Sequence, residues 1–336
     1  MATHANELDQ IERCCDACKK IHEQMSRVIV GQTVVIDDIL MALFCDAHIL
    51  LVGVPGLAKT LMISTLARIL KLDFKRVQFT PDLLPGDITG TEVIDEDRAT
   101  GRREFRFVSG PVFTHLLLAD EINRTPPKTQ SALLQAMQER EVSVGRKTMK
   151  LERPFLVMAT QNPLEQEGTY PLPEAQLDRF MFNTFVDYPT DAEMVEIVEK
   201  TTGNAVAEVD TITDAQQIIA VQRIIRDIPI ARPVVDYIVR LAVATRPAHP
   251  SAPAFIKDYV SWGCGPRAGQ YLALGAKARA ALNGQPHASI EDVRAVALSV
   301  LRHRIALNYN GRAEGYDTIK VVNRLLESVP ADGKKG

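Results

Sequence analysis

The chain has 336 residues, 46% hydrophobic and 24% charged, with a formal net charge of -3 and a pI near 6.2. This is the composition of an ordinary globular protein with room for two domains, and it excludes nucleic-acid binding driven by bulk positive charge. No apolar run approaches the roughly 20 residues of a membrane helix, and the start MATHANELDQIERCC has no apolar signal core, so a cytoplasmic setting is the default expectation.

The first predicted element is a helix from about Glu7 to Arg27, with Ile11, Cys15, Cys18 and Ile21 spaced to share a face. The cluster Cys14-Cys15-Asp16-Ala17-Cys18 has no second Cys or His group at finger spacing, so these thiols read as reduced core residues, as do Cys45 and Cys264. The motif Val28-Ile29-Val30-Gly31-Gln32 breaks the helix, and a second helix is expected over Val34–Ala47.

Strand and helix then alternate. Short apolar strands are expected at Ile49–Val52, Lys75–Phe79, Leu116–Ala119, Phe155–Ala159 and Met181–Val186, with helices at Leu61–Leu70 and Thr129–Glu139. Continuous apolar strands separated by helices predict an α/β fold, a parallel sheet covered on both faces. Two segments break the rhythm and read as inserted hairpins, about 91–108 around Ala99-Thr100-Gly101 and about 141–151 around Gly145-Arg146. After Tyr188 the pattern is helical, so the domains are expected at 1–189 and 190–330, with a frayed tail at 331–336.

Gly53-Val54-Pro55-Gly56-Leu57-Ala58-Lys59-Thr60 follows a strand and opens a helix at Leu61, the context of a phosphate loop. Glycines let backbone amides turn toward a β-phosphate, and the helix N-terminus adds partial positive charge. Lys59 would reach the β- and γ-phosphates, and the Thr60 hydroxyl would face Mg2+. Ala58 stands where such loops carry glycine; alanine is tolerated there if the residue has helical dihedrals.

Leu116–Ala119 ends in Asp120-Glu121. A carboxylate at a strand's C-terminal end orients a magnesium shell, and its neighbour polarises the attacking water as a general base. Asn162, after the next core strand, is placed to hold that water. Ligands bind at this edge of open parallel sheets, so the motifs are expected to converge on ATP in one crevice.

These residues resemble the AAA+ ATPases, and specifically the MoxR family. The resemblance rests on G-V-P-G-L-A-K-T from Gly53, L-L-A-D-E-I-N-R from Leu117, A-T-Q-N-P from Ala159 and Q-E-G-T-Y-P-L-P-E-A-Q-L-D-R-F from Gln166, and it spans nearly the whole chain. It implies a nucleotide-binding core with hairpin insertions, followed by a smaller all-helical lid. Val30, Gly31 and Gln32 match the adenine-side motif, Gly53–Thr60 the Walker A loop, and Asp120 with Glu121 the Walker B pair. Asn162 resembles sensor 1, Arg179 the arginine finger given to a neighbouring subunit, and Arg267 the sensor 2 arginine at the start of a lid helix; Arg124 is a second candidate for a contact in trans. A shared finger implies a head-to-tail ring, hexameric by the resemblance, acting as a chaperone with a von Willebrand factor A-domain partner on an unidentified client. Two other readings stay open at this point. One is a DNA-associated motor, drawing on Arg146, Lys147 and Lys150 of the second hairpin but opposed by the net charge. The other is a nucleotide-gated scaffold with little turnover, hinted at only by Ala58.

Overall fold

The computed structural model describes residues 2–96, 103–145, 147–165, 168–203 and 207–331. The expected hairpin turn Ala99-Thr100-Gly101, Arg146, Gln166 and the tail beyond Ala331 lie outside the described residues.

Helix α1 (Ala2–Val28) is amphipathic, and Ile11, Cys14, Cys15, Cys18, Ile21 and Met25 are all buried along one side. The thiols of the Cys14–Cys18 cluster therefore serve as core packing. The chain turns at Gly31, φ 67°, and Gln32, φ 58°, into α2 (Thr33–Phe44).

The core sheet contains β1 (Ile49–Val52), β2 (Phe74–Gln78), β5 (Leu116–Asp120), β8 (Leu156–Gln161) and β9 (Phe182–Phe185). Their order is β2-β5-β8-β1-β9, and every pairing is parallel. Between them run α3 (Lys59–Ile69), α4 (Pro85–Thr89), the hairpin β3 (Gly90–Glu96) and β4 (Arg103–Ser109), a 3-10 turn (Ile122–Arg124), α5 (Pro127–Glu139), the hairpin β6 (Glu141–Val144) and β7 (Lys147–Lys150), and α6 (Glu174–Leu177). Each hairpin pairs only with itself, as an appendage of the core.

Strand side chains alternate between two apolar layers. Ile49, Leu51, Leu116, Leu118, Leu156 and Met158 face one cluster; Leu50, Leu117, Ala119, Val157 and Ala159 face the other. The first cluster continues from α1, α2 and α3 into the helices that follow the sheet. Those are α7 (Asp191–Thr201), α8 (Ala215–Asp227), α9 (Arg232–Ala244), α10 (Ala254–Tyr259), α11 (Pro266–Leu282), α12 (Ile290–Leu301), α13 (Tyr309–Ala313) and α14 (Thr318–Ser328). Leu272, Ala276, Val293 and Val296 join Ile39 and Leu43 in it, so the lid is docked on the α1–α2 side of the sheet by apolar packing. Each such leucine or isoleucine taken out of water contributes about 1.5–3 kcal/mol. The lid also carries an antiparallel ribbon, β10 (Val260–Trp262) with β11 (Ala306–Leu307), which helix periodicity alone did not predict.

Candidate functional site: a phosphate loop facing two carboxylates

The strand order builds the site. β8 lies between β1, which feeds the loop at Gly53, and β5, which ends in Asp120. The residue after β8, Asn162, therefore falls between loop and acidic pair. Pro55–Leu61, Asp120, Glu121, Thr160 and Asn162 line one cavity of about 420 Å³.

Gly53 is required by close approach, since a Cβ there would stand 2.7 Å from the Val186 carbonyl oxygen beyond β9. Gly56 has φ 85°, which needs no side chain. Ala58 has φ 52° and ψ 21° at the N-cap of α3, a left-handed residue. The condition on which alanine was expected to be tolerated is not met: its dihedrals are not right-handed helical. The loop must reverse its path between Gly56 and the first turn of α3, and left-handed dihedrals at Ala58 achieve this at roughly 1–2 kcal/mol.

Lys59 Nζ donates to the carbonyl oxygens of Gly53, 2.6 Å, and Val54, 3.2 Å. Burial pulls its pKa down, and the facing Asp120 and Glu121 oppose that pull. Asp120 Oδ1 accepts from Thr160 Oγ1 at 2.6 Å, and Thr160 Oγ1 in turn accepts from the Glu121 amide at 2.8 Å. Asp120 Oδ2 accepts from Arg76 Nε, 3.1 Å, and Nη2, 2.7 Å. Glu121 has φ 56°, and its Oε2 accepts from Gln78 Nε2, 2.6 Å, and Arg124 Nη1, 2.9 Å. Arg124, the second candidate for a contact in trans, pairs within this chain with Glu121 and, at 3.6 Å, with Glu165. Asn162 is buried, and its Oδ1 caps the Leu164 amide at 3.1 Å.

A second, apolar cavity of about 310 Å³ continues from the loop. Val30, Gln32 and Pro55–Ala58 line it together with Tyr188, Met194 and Ile197. Gln32 Nε2 donates to the Asp187 carbonyl at 2.9 Å, which ties this wall to the segment after β9. Gly31 approaches so closely that a Cβ would lie 2.1 Å from Glu193 Oε1. The pair of cavities fits a nucleotide: an apolar slot for a base, amides and Lys59 for phosphates, and the hard oxygens of Thr60 and Asp120 for Mg2+.

Two arginines named by the resemblance, Arg179 for a neighbour's nucleotide and Arg267 at the start of a lid helix, lie elsewhere in the chain. Arg179 and Arg267 line a different cavity, of about 340 Å³, with Ala47 and His48 at the opposite, N-terminal end of β1. Arg179 Nη1 donates to the Leu134 carbonyl at 2.7 Å, and Arg267 Nη1 pairs with Asp178 Oδ2 at 3.2 Å. Asp178 also takes Arg304 Nε at 2.8 Å, and Arg304 is buried among the backbone carbonyls of Asp178, Phe180 and Met181. Arg267 thus sits beside Arg179 and Asp178, away from the phosphate loop of its own chain. The lid helix it opens, α11, packs against α1 and α2 instead of over the loop.

Residues 48–182 match the model of the ATPase family associated with various cellular activities, and residues 254–325 match that of the AAA lid domain. The chain is 43% identical over 306 residues to chaperone MoxR1 of Mycobacterium tuberculosis, covering 91% of this chain and 80% of the relative. It belongs to the MoxR family of AAA+ ATPases. Protein MoxR of Methylorubrum extorquens is 30% identical over 334 residues, 94% of this chain and 95% of that one. A crystal structure from Cytophaga hutchinsonii, described as a candidate ATPase, superposes with a TM-score of 0.89 at 40% identity, covering 96% of this chain and 97% of its own.

Within this MoxR-family site, sequence reasoning missed Arg76, Gln78 and Thr160. Arg76 and Gln78 stand two apart on β2 and so share a face, a signal that was legible. What was not legible is that the register sets Gln78 opposite Asp120.

Proposed function

We propose that this MoxR-family chain is a Mg2+-dependent ATPase that works as a ring, hexameric by the family resemblance, remodelling client proteins with a von Willebrand factor A-domain partner. The observation that carries the catalytic part is the single cavity shared by Lys59, Thr60, Asp120, Glu121 and Asn162. In this reading the loop amides and Lys59 bind the β- and γ-phosphates, and Thr60 and Asp120 hold the cation. Magnesium, when bound, screens phosphate charge. Glu121 accepts a proton from the attacking water, and Asn162 positions that water.

The position of Arg179 and Arg267 supports assembly. A guanidinium forks well onto phosphate oxygens, and both face away from their own loop, at the opposite end of β1. Head-to-tail stacking carries them to a neighbour's nucleotide, so both act in trans. Among the described residues no helix is long and apolar enough to cross a membrane.

Lys59→Ala is expected to lose nucleotide binding, and Glu121→Gln to bind ATP and turn over slowly. Mixing Arg179→Ala with Lys59→Ala subunits tests the trans site, because a mixed interface pairs an intact loop with an intact finger. Recovery of turnover is expected; no recovery, or a strict monomer by light scattering under saturating MgATP, would sink the ring. Turnover stimulated by DNA would redirect the reading to a motor. A Glu121→Gln trap, used in pull-downs, reports client and partner.

A further inference from the structure

Asp120 presents two oxygens, and each is taken by a side chain of a neighbouring strand. Oδ1 takes the Thr160 hydroxyl at 2.6 Å, and that hydroxyl holds the Glu121 amide at 2.8 Å. Asp120 lines the phosphate cavity, and its Oδ2 takes both Nε and Nη2 of Arg76, at 3.1 and 2.7 Å. The same Nη2 donates to Gln78 Oε1 at 2.7 Å, and Gln78 Nε2 donates to Glu121 Oε2 at 2.6 Å. One guanidinium on the edge strand β2 thus joins the two carboxylates of the site.

We propose that Arg76 is a protein-borne stand-in for the divalent cation, which competes with it for Asp120 Oδ2, so that binding of the metal also loosens the hold of Gln78 on Glu121. The inference rests on the reading of Asp120 as the cation's carboxylate. Charge favours the exchange: a partly buried carboxylate needs a positive partner, and either the guanidinium or a divalent ion satisfies it. Exposure makes it cheap. The Arg76 side chain is 47% exposed and that of Asp120 14%, so the pair is closer to a surface ion pair than to a buried one. Such a pair is worth on the order of a tenfold change in affinity or less. Once displaced, Arg76 no longer fixes the Gln78 carbonyl, and the Gln78 amide is free to turn away from Glu121. The metal would then both enter the site and release the base, which ties water activation to a complete Mg–nucleotide complex.

The test is Mn2+ binding to the full chain with ADP present, read by electron paramagnetic resonance of the free ion, with folding checked by thermal melting. Arg76→Gln is expected to bind Mn2+ several-fold, at most about tenfold, tighter than the parent, and Arg76→Lys, which keeps the charge and loses the fork, to fall between them. Arg124→Gln removes a like charge that pairs with Glu121 and does not touch Asp120, and it is expected to change Mn2+ affinity much less. Equal affinity in Arg76→Gln and the parent, or equal gains in Arg76→Gln and Arg124→Gln, overturns the proposal. Asp120→Asn separates the two levels of argument. Loss of Mn2+ binding upholds the underlying reading, whereas unchanged binding would remove Asp120 from the metal site and the proposal with it.

Discussion

Replacing Asp38 with asparagine probes the joint between sheet and lid. Asp38 lies on α2, only 4% exposed, and its Oδ2 accepts from Thr184 Oγ1 of β9 at 2.6 Å and from Ser299 Oγ of α12 at 2.9 Å. Burial raises its pKa from 3.8 to about 6; the Thr184 and Ser299 hydroxyls and the Arg302 charge pull it back down, and neighbouring Asp37 adds to the rise. A folded pKa above the unfolded one means that the neutral form suits the native state. The stability due to this group is full below pH 3.8 and is lost as pH rises through about 6. The gap is worth about 3 kcal/mol at roughly 1.36 kcal/mol per pH unit. Asparagine keeps a carbonyl oxygen for the two hydroxyls and never ionises. Urea denaturation of both proteins at pH 4, 5, 6, 7 and 8 isolates the effect, because the other carboxylates titrate in both and cancel in the difference. The stability of Asp38→Asn relative to the parent is expected to rise by about 2.4 kcal/mol across that range, since part of the gap has opened by pH 4. A difference that stays constant with pH would show that Asp38 is not desolvated as its burial implies, and the argument would fail.

Ala58→Gly removes the left-handed strain of about 1–2 kcal/mol and adds about 0.4–1 kcal/mol of unfolded-state entropy, so a net stabilisation of up to roughly 1.5 kcal/mol is expected in urea midpoints; destabilisation would refute the left-handed geometry. Gly31→Ala forces Glu193 aside and breaks the box in which Glu193 Oε2 accepts from the Thr190 amide and hydroxyl, both at 2.8 Å. Lost cap and strain together predict about 2 kcal/mol of destabilisation, and in a Glu193→Ala background the added cost of Gly31→Ala should shrink. Gln78→Ala takes away one of the two donors on Glu121 Oε2, so basal turnover is expected to rise several-fold with ATP affinity unchanged; a fall to the level of Glu121→Gln would show that Gln78 assists the base.

The local motifs were readable because their chemistry is local. A glycine-rich turn between an apolar strand and a helix, or two carboxylates ending an apolar strand, carries its meaning in consecutive residues, so Lys59, Thr60, Asp120, Glu121 and Asn162 could be named before their distances were known. The same applies to the two hairpins and to the long stretch from Gln166 to Phe180, which is specific enough to place the family. Ala58 shows the boundary of such reading. Its identity was visible, but its φ of 52° depends on how the loop meets α3.

The sequence by itself determined the core strands and hairpins, the alternation that makes a parallel sheet, and the residue types that handle a triphosphate. Tertiary structure decided which of them meet. Inserting β8 between β1 and β5 brings Asn162 beside the acidic pair, and the β2–β5 register brings Arg76 and Gln78 onto Asp120 and Glu121. Docking α11 on α1 and α2 carries Arg267 to Arg179 and away from the loop. Strand pairing and helix docking join residues far apart in the chain, and they are selected by how buried faces fit together, which no window along the sequence contains.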